Sequence, residues 1–141
     1  MSFASLSFRH GQVIAFDFSL SADQMAAFIA LSHDDSPIHT DHAFAVERGF
    51  NGVVVYGSLL AAQISKLVGT KLGRHDTLEL GLTLDFMRPL YVDEVARFRA
   101  TVEHVSESTA TVQYRIDIAA GPRKLAKGRV TVMFLDARQP G

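Results

Sequence analysis

The spacing of apolar and polar residues changes character along this chain. Residues 13–20, VIAFDFSL, read as a strand ended by a turn. In residues 21–32, SADQMAAFIALS, the period becomes helical. Met25, Phe28, Ile29 and Ser32 fall on one face, and Ser21 with Gln24 three residues on has the spacing of a capping box. A polar connection follows, and then DHAFAVERG predicts two helical turns, with Asp41 as N-cap and Gly49 as the stop. YGSLLAAQISKLVGTKLG predicts a longer helix over about 56–72. Leu59, Leu60, Ile64, Leu67 and Val68 lie close together on it, Ala61 and Ala62 widen the apolar surface, and only Gln63, Ser65 and Lys66 interrupt it. A helix apolar on most sides belongs inside something.

From residue 78 onward the period is two. Leu78, Leu80, Leu82, Leu84 and Phe86 alternate strictly and are expected on one face of a strand. VARFRATVEHV, ATVQYRIDIA and KGRVTVMFL alternate likewise. SES at 106–108 and the Gly121-containing break at 119–122 separate them. Consecutive strands with tight turns imply an antiparallel meander, and a buried helix before it gives an α+β layer pair. The order of elements identifies the arrangement as a hot-dog fold, an antiparallel sheet wrapped around a long central helix.

The 141 residues suit one domain, read here as 1–141, with no repeat or linker. A chain of this size buries roughly 70% of its unfolded surface, so its core needs no staples. With no cysteine, disulfides and thiolate metal sites are excluded. The formal net charge of -1, with scattered acids and bases, excludes the basic face of a nucleic-acid binder. There is no cationic opening followed by an apolar run, and no apolar stretch near the roughly 20 residues a membrane span needs. A cytoplasmic protein without membrane contact is expected.

The candidate chemistry lies in the polar connection, SHDDSPIHTDHAFA, residues 32–45. Asp34 and His39 are five apart with Pro37 between them. The proline fixes its own φ and biases Ser36 toward extended geometry, so the segment can hold both side chains in a fixed relation. A carboxylate beside an imidazole makes an acid/base pair able to activate water and return a proton to a neighbouring carbon. Plainer readings are a turn-capping Asp34 and a solvated His39. A metal site drawn from His33, Asp34, His39, Asp41 and His42 is a third reading. It needs a helix through His39 and His42, which the proline argues against by starting the helix later.

DDSPIHTDHAFA resembles the signature of the MaoC-like, or R-specific enoyl-CoA hydratase, family: Gly-Asp-x-Asn-Pro-(Leu/Ile/Val)-His, five residues, then Ala or Ser. Asp34, Pro37, Ile38, His39 and Ala45 fall on it, and Phe28 loosely matches an upstream aromatic. RGFNGVVVYGSLLAA is similar to the family's lead into the central helix, and FMRPLYVDE to its following strand end. The resemblance implies an enzyme of the hydro-lyase class, reversibly hydrating 2-enoyl-CoA to (R)-3-hydroxyacyl-CoA. Asp34 and His39 would be catalytic, and Gly57 would offer its amide to the thioester carbonyl. Ser36, Tyr56 and Ser58 would position substrate. Charge developing on that carbonyl oxygen suits the unpaired donors of a helix N-terminus, and glycine permits close approach. His33, Ser36 and Tyr56 replace the family's glycine, asparagine and histidine, which bears on substrate range and rate.

The family's thioesterase and carrier-protein dehydratase cousins carry a catalytic Asp or Glu on the central helix. Residues 56–73 have neither. A non-catalytic subunit of a heteromeric dehydratase is the rival from another class. An open sheet edge implies a homodimer or higher homo-oligomer. The acyl chain would run along the central helix, past Leu59, Leu60 and Gln63, toward the partner subunit, with a pocket depth set by how Phe28, Phe44, Phe50 and Phe86 pack. Arg88, Arg123, Lys124 and Lys127 are candidates for phosphates on the thioester handle, or a solvated edge. No metal or bound cofactor is required, with coenzyme A or an acyl carrier serving only as the handle.

Overall fold

The computed structural model describes residues 3–73 and 76–135. Strand β1 is Val13–Phe18, two residues shorter than expected, and helix α1 is Ala22–Ser32. The capping box is formed: the Ser21 hydroxyl accepts from the Gln24 amide, and the Gln24 side chain accepts from the Ser21 amide. A single turn, α2, spans Pro37–Thr40 and is followed by α3, His42–Glu47, capped by Asp41 through the Phe44 amide at 3.1 Å. The expectation that the helix begins after the proline is thus corrected. Pro37 stands at the first helical position, where its missing N–H is not needed and its fixed φ already fits.

The central helix α4 is Gly57–Lys66, continued by a π turn over Leu67–Lys71. The sequence period predicts one unbroken helix to about 72. The Leu67 amide is shared between the Gln63 and Ile64 carbonyls, and Thr70 Oγ1 donates to the Lys66 carbonyl at 2.6 Å. Such back-bonding loosens the regular ladder.

Strands β2 (Thr77–Phe86), β3 (Ala96–Ser106), β4 (Thr111–Ala120) and β5 (Arg123–Phe134) join β1 in one antiparallel sheet, in the order β1-β3-β4-β5-β2. Its inner face closes on α4. Leu60, Ile64 and Leu67 are buried against Phe98, Val112, Tyr114, Ile116, Val130 and Phe134. Burying each such side chain contributes about 1.5–3 kcal/mol, so the helix is held by packing rather than by propensity. This is the hot-dog arrangement that the element order implies.

The unbroken leucine face expected on β2 is corrected by a bulge. The register slips between Glu79 and Gly81, so Glu79 lies opposite buried Val132, while Leu82, Leu84 and Phe86 lie opposite Val130, Gly128 and Ala126. An extra residue in one strand reverses which side chains share a face. Leu78 therefore faces away from Leu82, Leu84 and Phe86. Strand β2 is also an edge of the sheet.

Candidate active site

α1 ends where His33 takes a left-handed C-cap conformation (φ 62°), its amide donating to the Ile29 carbonyl at 2.7 Å. Glycine adopts this backbone freely, which explains the glycine of the family pattern at this position. The chain then turns on Asp34, whose Oδ1 accepts from the Ser36 amide at 3.1 Å and the Ser36 hydroxyl at 2.6 Å. These bonds lock the approach to Pro37. They also hold the Asp34 carboxyl below the usual carboxylate range. The Ser36 hydroxyl is the largest cause and its amide the next, and the nearby His39 acts in the same direction.

His39 stands on α2. Its Nδ1 lies 2.6 Å from the Val54 carbonyl oxygen. A carbonyl only accepts, so Nδ1 carries the hydrogen and Nε2 of the neutral ring keeps its lone pair. The ring stacks on Tyr56, with centroids 4.0 Å apart and planes 24° apart. Tyr56 is buried, and its hydroxyl donates to the Asp34 backbone carbonyl at 2.5 Å. Phe28 packs on the same phenol ring, 4.6 Å between centroids. One tyrosine therefore braces both the Asp34 turn and the His39 ring. Burial raises its phenol above the ordinary value, with Asp34 and Asp35 adding to the rise, so it stays a neutral donor.

Gly57 opens α4. Among the described residues no group accepts from its amide or from that of Ser58, and both donors belong to the unsatisfied first turn. A Cβ placed there would come within 2.8 Å of the tip of the Phe86 ring, so that exposed ring would have to move aside. Gly57 and His39 share a cavity of about 330 Å³. Its wall is otherwise mainly apolar, from Phe50, Leu60, Phe86 and Met87, with Arg88 the cation in it.

The structure thus brings His39 and Gly57 to one hollow. Asp34, expected to share it, is exposed and is not part of its wall. Ser36 bonds to Asp34, Tyr56 backs His39, and the exposed Ser58 lies outside the wall. Of the expected acyl track, Leu60 lines the cavity. Gln63 is buried elsewhere, and Leu59 packs against the core. Phe50 and Phe86 are in the wall, while Phe44 lies beneath the Arg48 guanidinium. Arg123 is corrected as a phosphate candidate. It pairs with Glu94 and donates to the Pro89 carbonyl at 3.1 Å, so its charge is already matched. Among the described residues no three His, Asp or Glu side chains gather as metal ligands. Sequence reasoning missed the Val54 carbonyl and the wall residues Met87, Pro89 and Leu90. A backbone acceptor has no residue signature, and FMRPL reads only as a strand end.

Replacing Ser36 with alanine removes the stronger support of the ionised Asp34. Its pKa then rises toward the ordinary carboxylate value. If Asp34 works as the anion, the acid limb of kcat/KM moves to higher pH in Ser36→Ala, while activity on the neutral plateau persists. A pH–rate profile of both proteins reads this shift.

A single sheet closed around one helix, with an apolar hollow at the helix's amino end, defines a hot-dog protein. The profile described as "MaoC like domain" matches residues 6–120, and the chain belongs to this MaoC-like family. It is 37% identical over 113 residues to an (R)-specific enoyl-CoA hydratase of Aeromonas caviae, covering 79% of this chain and 84% of that protein. A 3-hydroxybutyryl-CoA dehydratase of Methylorubrum extorquens is 21% identical over 113 residues, covering 80% of this chain and 72% of that protein. The solved (R)-hydratase of A. caviae superposes with a TM-score of 0.84 at 30% identity, covering 91% of this chain and 98% of that one. The chain is therefore an enzyme of the hydratase and dehydratase type. No helix among the described residues is long and apolar enough to cross a membrane.

Proposed function

We propose that this protein adds water across the 2,3 double bond of an acyl thioester, giving the (R)-3-hydroxyacyl product, and runs in reverse as a dehydratase. The observation that carries the reading is the shared hollow of His39 and Gly57, where, among the described residues, nothing bonds to His39 Nε2 or accepts from the Gly57 amide at the start of a buried helix. In this mechanism the thioester carbonyl oxygen accepts from the Gly57 amide, where the negative charge of the enolate develops. Water is held between Asp34 and His39 Nε2. As its oxygen bonds to C3, its proton passes to the pair and on to C2, so both residues end as they began. Asp34 is ionised at neutral pH, and His39 is held in the required tautomer by Val54.

The three departures from the family pattern support activity rather than its loss. Ser36 bonds to Asp34, Tyr56 braces both partners, and His33 ends a helix. A second copy of the chain is part of this proposal. Leu82 and Phe86, on one face of edge strand β2, are 42% and 55% exposed, and a second copy packed against that edge covers them. The test is hydration of a short 2-enoyl-CoA, followed as loss of the conjugated absorbance. Turnover by the protein alone supports the reading. Turnover only after a second, different polypeptide is added favours a subunit role.

A further inference from the structure

The outer face of the sheet carries a second hollow that the proposed chemistry does not use. It is a groove of about 500 Å³ lined by Arg97, Arg99, Arg115, Lys124 and Lys127 against one carboxylate, Asp117. The register explains why these side chains meet. Arg99 lies opposite Asp117, and Lys127 stands between Asp117 of β4 and Asp85 of β2, though at ion-pair distance from neither. Arg97 lies opposite Ala119, and Ala119 opposite Lys124. The pairing slips between Ile118 and Ala119, passing over Leu125, so Lys124 and Lys127 reach the same face although three residues apart. From β3 to β5 the cations span about 10 Å, two strand spacings.

Two of the five cations are already matched: Arg97 to Asp17 at 3.0 Å, and Arg115 to Asp117 at 3.2 Å. Arg99, Lys124 and Lys127 have no acidic partner within ion-pair distance among the described residues. The groove also adjoins the proposed active site. Met87 belongs to the walls of both hollows, and its amide is tied to the Leu125 carbonyl of β5 at 2.8 Å. Met87 is the residue the two hollows have in common, and Arg88, a further cation, lines the cavity itself.

We propose that the groove binds the phosphates of coenzyme A while the thioester end of the same molecule lies against Gly57. The inference rests on the hydratase reading of the cavity and adds the class of handle and the residues that hold it. Coenzyme A carries a diphosphate and a ribose phosphate, a compact polyanion. A concave site with three unmatched cations, one a guanidinium able to grip two oxygens at once, complements it. A carrier protein presents one phosphate and otherwise needs a broad protein-sized contact; this hollow is small and charged.

The experiment compares three thioesters of one short enoyl acid: with coenzyme A, with phosphate-free N-acetylcysteamine, and with an acyl carrier protein. The variants are Arg99→Glu and the double variant Lys124→Glu, Lys127→Glu. For the coenzyme A thioester KM rises by about tenfold or more at low salt, since charge reversal replaces attraction with repulsion, and kcat changes little. The phosphate-free substrate keeps its parental KM. Added salt raises the parent's KM for the coenzyme A substrate alone. An equal change on both small substrates, or none on either, overturns the proposal. A change confined to the carrier-protein substrate overturns it in favour of a protein partner. Calorimetric titration of free coenzyme A separates this idea from the hydratase reading. If the parent turns over none of the thioesters, the hydratase reading fails. Tight coenzyme A binding that Arg99→Glu weakens then still upholds the groove, and its absence sinks the groove as well.

Discussion

In His39→Ala the hydration rate is expected to fall by about 10²–10⁴-fold, the range spanned by loss of one positioned acid/base group. The loss appears in kcat and in kcat/KM together, because the imidazole contributes to moving the proton and not to holding the acyl chain. Asp34→Asn removes the anion on the other side of the water and has an effect of the same order. The two act on one proton, so the double variant is expected to be little worse than the poorer single variant rather than the product of both losses. The fold is not expected to fail in either case. Asp34 is exposed, and His39 is only half-buried at the edge of its stack with Tyr56. Thermal melting alongside the assay separates lost chemistry from lost structure. An unchanged rate in either single variant removes that residue from the mechanism.

The largest expected effect on stability is at Gly128. A Cβ there would sit 1.9 Å from the Thr83 carbonyl oxygen and 2.9 Å from the Leu84 Cα. Both are backbone atoms of the neighbouring strand, so no side chain can swing aside. Strands β2 and β5 must separate to admit even a methyl group. Gly128→Val is expected to cost about 3 kcal/mol or more, as overpacking with backbone displacement does. For a chain of this length that lowers Tm by on the order of 10 °C. Catalysis should suffer as well. Gly128 pairs with Leu84, two residues before Phe86 and three before Met87 in the cavity wall. Gly81→Ala is the control: a Cβ at Gly81 meets nothing within 4 Å, so Tm should move little.

The course of the chain was visible in the spacing of its apolar residues to differing depths. The capping box of Ser21 and Gln24, the Asp41 cap, the buried α4 and the consecutive pairing of β3, β4 and β5 follow from local pattern and recur in the fold, whereas β2 leaves the meander and pairs with β5 at the far edge. Local pattern failed where one residue too many changes the register. The bulge at 79–81 divides the leucine alternation, and the slip past Leu125 brings Lys124 and Lys127 together. Neither leaves a mark in period or propensity, because both are settled by pairing with a distant strand. At the site, the short-range relation of Asp34, Ser36, Pro37 and His39 could be argued from proline geometry. The support from Val54 and Tyr56 could not, since it crosses 15 and 22 residues of sequence. Arg123 shows the opposite error. A cation that looked available has its partner, Glu94, 29 residues away.

The most direct measurement is a crystal structure of the protein with a bound 3-hydroxyacyl thioester. The carbonyl oxygen should lie within hydrogen-bond distance of the Gly57 amide, with the 3-hydroxyl between the Asp34 carboxylate and His39 Nε2. A thioester seated away from Gly57, or a hydroxyl in contact with neither residue, would contradict the mechanism.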